Sequence, residues 1–366
     1  MTAPAQADFN SRLYNFSAGP GTLPEEVLRE AQEEMLVYPG AGASIIEISH
    51  RSPEYTAIVE SAQARLRSLL GLGEDWHILF LGGGASLQFY MAPLNFLPDN
   101  GSADYLVTGS WAKKALKEAR IVGDARTAAT SEDRAFAYIP KPENWTLTKG
   151  AAYLHFTSNN TIYGTQFRSE PIVDAPLVCD ASSDFLSRPM DIDRYAMIYA
   201  GAQKNIGPAG VTVVMIRDSF LQKRRQPLPT MLDYGVHAGS LFNTPPVFAI
   251  YLVEKVLRWV ERLGGIGAMQ AINERKAGKL YARIDKNDFC RGTADADSRS
   301  LMNVTFKLGT EDLDKQFVSE AKSHGLLALK GYRSMGGIRA SIYNACPESG
   351  VDALVSFMDD FEARRG

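Results

Sequence analysis

The stretch "YAGAQKNIGPAG", Tyr199 to Gly210, decides how the rest of the chain is read. The residues before it, Arg194 to Ile198, and after it, Val211 to Arg217 ("VTVVMIR"), are apolar and β-branched enough to predict two strands, which makes the stretch a tight connection at the end of a sheet. One lysine, Lys204, stands there among Gly201, Ala202, Ile206, Pro208 and Ala209, where a loop lysine ordinarily has polar neighbours. A plain surface turn is one reading of it. A phosphate-cradling P-loop is not, because that motif puts lysine directly before Ser or Thr, after a glycine run and ahead of a helix. Here the lysine precedes the glycines and a strand follows.

Outward from that point, residues Asp75 to Arg217 alternate strand and helix. "HILFLG" leads into "SLQFYMAPLNFL" and "DYLVTG" into "WAKKALKEARI"; the short runs "AAYLHF", "PLVCDAS", "AMIYAG" and "VTVVMIR" follow. Strands too apolar to have a wet face predict a mostly parallel sheet covered by helices on both sides, with ligands at the carboxyl ends of the strands. Two helical stretches, Val247 to Leu263 and Met269 to Ile284, are separated by "GGIG", which reads as a hinge. Beyond it "LMNVTFKL", a helix near Leu313 to His324, "GIRASIYN" and a last helix with apolar Val351, Leu354, Val355, Met358 and Phe361 predict a small α+β unit. The expected division is a large domain over 16–264 and a small one over 265–366, joined by the N-terminal arm 1–15.

Composition narrows the function classes. A chain of 366 residues is long enough for about two domains. Its formal charge of -3 offers no basic field to a polyanion, so nucleic acid is excluded as an expected partner. Cys179, Cys290 and Cys346 are widely spaced and form no CxxC pair, which argues against a disulfide framework and a zinc site alike; no metal is expected. The start, "MTAPAQADFNSRLYNF", lacks the basic and apolar regions of a secretory signal, and no apolar run approaches membrane-spanning length. The expectation is a soluble cytoplasmic protein.

Four features fall on the ends of the expected strands. "GGGASLQF", Gly82 to Phe89, is either a structural turn or a backbone cup in which free N–H groups at a helix start take a phosphate. Asp180 in "VCDASS" either caps a turn or holds a proton on a ring nitrogen; Trp111 in "TGSWAKK" is either core or a stacking face. The fourth is Lys204. Pyridoxal phosphate uses all four kinds of group at once: an amine, a phosphate cup, a carboxylate and an aromatic face. Apolar surroundings suit Lys204 to the amine's part, because they disfavour the ammonium and favour the nucleophilic form.

With those residues in place, "NFSAGPGTLPEEVL", "EISHR", "GGGASLQF", "GSWA", "YAGAQKNIGPAG", "FNTPP" and "GGIRASIYNA" follow in one order along nearly the whole chain. In these blocks the chain resembles the phosphoserine aminotransferase family of fold-type I pyridoxal phosphate enzymes. The resemblance implies an α/β fold with a mostly parallel seven-stranded sheet and a small α+β C-terminal domain. It makes Lys204 the Schiff-base lysine, pairs Asp180 with the pyridinium nitrogen and stacks Trp111 on the ring. Gly84 and Ala85, with Ser86, take the cofactor phosphate; Thr161 meets the ring hydroxyl and Gln203 the phosphate. Asn243 and Thr244 reach the same phosphate from the partner subunit, which implies a homodimer with shared sites. Arg339 is the expected anchor of the α-carboxylate, for which a guanidinium fork suits two oxygens. His50 and Arg51, with Arg333 in "GYR", receive the substrate's distal phosphate or the side-chain carboxylate of glutamate.

The implied reaction is amino transfer between L-glutamate and 3-phosphohydroxypyruvate, giving O-phospho-L-serine and 2-oxoglutarate in serine biosynthesis, with 4-phosphohydroxy-L-threonine of vitamin B6 synthesis as a further substrate. Two positions depart from the family's pattern. Tyr332 stands where "GHR" is usual and Ala85 where many members have arginine, so each removes a cation from the phosphate pocket. The rival readings are a relative acting on alanine or serine with glyoxylate, a cysteine desulfurase, and a catalytically silent phosphate-ligand-binding protein.

Overall fold

The computed structural model describes residues 11–365; the first ten residues of the expected N-terminal arm lie outside that range. Seven strands form one sheet: Trp76–Leu81 (β1), Ser102–Val107 (β2), Asp124–Thr130 (β3), Leu154–Thr157 (β4), Leu177–Asp180 (β5), Tyr195–Gly201 (β6) and Thr212–Arg217 (β7). Their spatial order is β1-β7-β6-β5-β4-β2-β3. Only β7 runs against its neighbours, pairing antiparallel with both β1 and β6. The reversal follows from the short connection between β6 and β7, since parallel neighbours need a crossover of a dozen or more residues.

Successive residues of these strands enter two different cores. Ile78, Phe156, Cys179, Ile198 and Val213 belong to one, and Leu79, Val178, Met197, Tyr199 and Val214 to the other. The period-2 alternation of side chains therefore buries both faces, which is why the strand sequences show no polar stripe. Helix Val247–Arg262 covers the first face with Ile250, Val253 and Leu257. Helices Gly84–Phe96 and Ser110–Val122 cover the second with Phe89, Phe96, Ala115 and Leu116.

A third core belongs to the C-terminal part, around strands Arg291–Gly292 (β8), Asn303–Lys307 (β9) and Ile338–Ser341 (β10), which pair antiparallel in that order. It takes Phe317 from helix Glu311–Ser323 and Leu354, Met358 and Phe361 from helix Glu348–Arg365. Phe16 is buried in the same core, and Tyr14–Asn15 pairs in parallel with Leu326–Leu327, so residues 14–16 are fastened to the C-terminal part. Helix Gly265–Ile284 spans two cores: Ile266 packs into the first, Ala277 and Leu280 into the third. The "GGIG" segment supplies that helix's start. Gly264 at its N-cap has φ 98° and Gly265 has φ 79°, a left-handed turn of the backbone that β-carbons resist.

All three cysteines are free and buried, and burial pushes their thiols up, Cys290 and Cys346 each to about 11. Among the described residues no helix is long and apolar enough to cross a membrane.

Candidate active site

The carboxyl ends of β1, β2, β4, β5 and β6 converge on one cavity. Three residues past β1, Gly84 opens a helix whose N-cap, Gly83, is left-handed at φ 85° and makes no side-chain cap. The N–H groups of Gly84, Ala85 and Ser86 thus begin a helix without intrahelical acceptors, at its positive end. Trp111 follows β2, Thr161 follows β4, Asp180 ends β5 and Lys204 lies three residues beyond β6. The cavity is about 300 Å³, and its walls include Gly84, Ala85, Ser86, Trp111, Thr161, Asp180, Gln203, Lys204 and Arg339.

Within it the polar groups are held individually. The Lys204 Nζ donates to Thr161 Oγ1 at 3.1 Å and lies 5.7 Å from the centroid of the Trp111 ring. Asp180 is buried at the end of its strand; its Oδ1 accepts from the Ser182 backbone N–H at 3.0 Å and the Ser182 hydroxyl at 2.6 Å. No other hydrogen bond to this carboxylate comes from the described residues, so Oδ2 is available to a ligand. Burial raises the Asp180 carboxyl above its ordinary range, against the opposing pull of the Lys204 charge and of Ser182. Burial lowers Lys204 from the ordinary lysine range, against Asp180 and Asp184. Burial therefore disfavours the charged form of both groups, and for Lys204 that is the direction that favours the nucleophilic free amine.

Arg339, on β10, brings the C-terminal part to the cavity. Burial lowers its pKa, and its Nε is buried without a hydrogen-bond partner among the described residues. A half-buried guanidinium with an unpartnered Nε at a cavity wall suits an incoming carboxylate.

These observations fit pyridoxal phosphate. An uncapped helix start suits a phosphate, Oδ2 of a buried carboxylate suits a ring N–H, an indole lies beside the amine, and the amine itself is held at the wall by the Thr161 hydroxyl.

The remaining expected residues fall elsewhere. Arg51, Asn243 and Thr244 are exposed and His50 is half-buried, and none lines this cavity. Asn243 lines a separate cleft, with residues His237 to Phe242, beside β1. Arg333 is exposed on a neighbouring groove whose wall shares Tyr332 and Arg339 with the cavity. Tyr332 itself lines the cavity, so this departure from the family's pattern puts a phenol at the site.

Sequence reasoning missed part of the wall. Ala18 and Gly19 line the cavity, and Ser182 both lines it and holds Asp180. Gly21 is required by close approach: a β-carbon there would stand 2.8 Å from Cδ2 of Tyr343 and 3.0 Å from the Lys204 carbonyl oxygen. The "GPG" at 19–21 was the available signal, since glycines around a proline mark a backbone conformation before they mark a site.

A model of class-V aminotransferases matches residues 13–354 of the chain. The phosphoserine aminotransferase of Desulfosudis oleivorans is 53% identical over 362 residues, covering 98% of this chain and 100% of that protein. Among solved structures, the phosphoserine aminotransferase of Bacillus circulans subsp. alkalophilus superposes with a TM-score of 0.95 at 50% identity, covering 97% of this chain and 99% of that one. The pyridoxal phosphate-bound phosphoserine aminotransferase of Trichomonas vaginalis does so with a TM-score of 0.91 at 40% identity, covering 95% and 100%. With a family model over most of its length and a relative more than half identical from end to end, the chain belongs to the class-V aminotransferase family.

Proposed function

We propose that this enzyme moves an amino group between L-glutamate and 3-phosphohydroxypyruvate, forming O-phospho-L-serine and 2-oxoglutarate. The observation that carries the reading is one cavity in which Lys204, Asp180, Trp111 and Thr161 stand around the start of helix Gly84–Phe96, in a chain that aligns from end to end with phosphoserine aminotransferases. Pyridoxal phosphate, when bound, supplies the electron sink that makes the substrate's Cα–H acidic. The N–H groups of Gly84, Ala85 and Ser86 would hold its phosphate, with Gln203 beside them, Thr161 its ring hydroxyl and Asp180 its ring nitrogen; Trp111 would cover its face.

The chain's own groups then divide the work. Asp180, kept from solvent, holds a proton on a partner nitrogen as no neutral side chain could. Lys204 is the general base that takes the proton from the substrate Cα and the acid that returns one, its free-amine form favoured by burial. Arg339 orients the α-carboxylate, which fixes the Cα–H toward Lys204. Arg333, His50 and Arg51 are proposed for the distal anion.

Those last residues, with Asn243 and Thr244, lie outside the cavity of one chain, which supports a homodimer in which each subunit completes its partner's site. Exposed Leu241 and Phe242 beside Asn243 give that surface its apolar area. The buried cysteines argue against a desulfurase, which needs a reachable thiolate, and free thiols agree with a cytoplasmic location. The division into 16–264 and 265–366 is supported by the separate third core, and the joining of the arm by the pairing of Tyr14–Asn15, although Phe16 packs in the third core and Ile266 in the first, across the expected boundaries.

The test is an absorbance spectrum of the purified holoenzyme followed by addition of glutamate. A yellow band that bleaches with glutamate and returns with 3-phosphohydroxypyruvate supports the reading; a colourless protein that still binds phosphate ligands would make it a binding module.

A further inference from the structure

Helix Gly265–Ile284 carries a lysine that no part of the proposed chemistry uses. Lys276 is completely buried, and its Nζ donates to four backbone carbonyls just past β10: Ile342 at 3.1 Å, Tyr343 at 2.7 Å, Asn344 at 3.3 Å and Cys346 at 3.1 Å. An ammonium has three N–H bonds, so four acceptors make it the centre of a cage and not one member of a chain. No carboxylate is paired with it among the described residues. Burying a charge is unfavourable where an apolar residue of similar volume would pack, so the position is better explained by what the charge organises than by stability. Burial brings the ammonium's pKa down to about 8, which leaves it mostly charged at neutral pH.

The caged turn is linked to the cavity's walls in three ways. Asn344 donates its backbone N–H to Asn205 Oδ1 at 3.0 Å, and Asn205 adjoins Lys204. Tyr343 donates its hydroxyl to the Ala18 carbonyl at 2.7 Å, beside Gly19. Arg339 lies on the strand that runs into the turn. Asn273, one helical turn before Lys276, adds a bond to Asn344 Oδ1 at 2.8 Å. Four carbonyl dipoles aimed at one point repel one another unless a cation sits there.

We propose that Lys276 is a positioning residue: an internal cation that holds the 342–346 turn and, through Asn344 and Asn205 on one side and β10 on the other, sets Lys204 and Arg339 in register across the cavity. The inference rests on the roles given above to Lys204 and Arg339.

The experiment compares wild type, Lys276→Met, Lys276→Ala and Asn205→Ala as holoenzymes with glutamate. Both Lys276 variants are expected to lose at least tenfold in kcat/KM. Propylammonium, which matches the atoms removed by Lys276→Ala, is expected to restore that variant severalfold and to raise the melting temperature of its cofactor-free form, whereas sodium does neither. A Lys276→Met enzyme within twofold of wild type overturns the proposal, as does propylammonium that raises the melting temperature and leaves kcat/KM unchanged. Should the Lys276 variants not fold, Asn205→Ala decides, since it cuts the link and keeps the cage; a tenfold loss supports the proposal and unchanged kinetics overturns it. An inactive wild type in the same assay would count against the aminotransferase assignment instead.

Discussion

Replacing Arg339 by methionine should separate stability from activity in opposite directions. Methionine keeps an unbranched apolar stem along the cavity wall and removes the guanidinium. That group is a cost to folding, because its Nε is buried without a hydrogen-bond partner among the described residues. An unsatisfied buried donor costs about 1–3 kcal/mol. The variant's melting temperature should therefore stay level or rise, at roughly 2–4 °C per kcal/mol for chains of 150–250 residues and less for a longer one. Activity should move the other way. Two charge-assisted bonds from the fork to an α-carboxylate, at about 1.5–3 kcal/mol each, amount to about 3–6 kcal/mol. That is roughly a hundredfold to ten-thousandfold in kcat/KM. Every amino-acid substrate has an α-carboxylate, so phosphoserine, glutamate and alanine should lose by a similar factor. The assays are differential scanning fluorimetry without substrate and steady-state kinetics with the three amino acids. A lowered melting temperature with near-normal kinetics would mean that Arg339 is a structural residue, and the carboxylate assignment would fall.

Three other outcomes test the rest of the site. Lys204→Ala should keep cofactor bound noncovalently, since the helix start and Trp111 remain, while turnover collapses; a borohydride-trapped adduct on another lysine would move the assignment elsewhere. Asp180→Asn should also retain cofactor, because asparagine can still bond the ring nitrogen, but it cannot stabilise a charged one, so kcat should fall by orders of magnitude; a small loss would leave Asp180 as a strand-end cap that serves Ser182. Arg51→Ala should lower the preference for phosphoserine over serine by roughly tenfold to a hundredfold, the value of one charge-assisted contact. An unchanged ratio would remove Arg51 from the phosphate pocket and favour a substrate without a phosphate.

The sequence made the sheet legible wherever strands were buried on both faces, because continuous apolar runs such as "AMIYAG" admit few other readings. It did not reveal β3, "DARTAAT", an edge strand whose burial follows no regular alternation and whose alanines have little strand character. The antiparallel direction of β7 depends on what the connection around Lys204 permits, and composition does not encode it. Within the site, residues at strand ends were found because their chemistry is rare there: a lysine among glycines, an aspartate after an apolar run. Ser182, Ala18 and Tyr343 were not found. Ala18 and Tyr343 are joined only by long-range folding, Tyr343 reaching Ala18 from the far end of the chain, and Ser182 acts through a local turn, two residues past Asp180, that an ordinary serine does not advertise. Arg51, Asn243 and Thr244 came only from family resemblance, and one chain by itself does not bring them to the cavity.

The three buried thiols offer a clock for opening. Cys179 sits in the sheet's first core, whereas Cys290 and Cys346 sit in the C-terminal core. A thiol held this far from water and from its thiolate form reacts with an alkylating reagent only when its surroundings part, so the labelling rate reports the frequency of that event. Mass spectrometry of the labelled peptides would time the two cores separately in one sample. If helix Gly265–Ile284 couples them, as its packing into both implies, all three cysteines should be labelled at a common rate. If the C-terminal core opens alone, Cys290 and Cys346 will run ahead of Cys179.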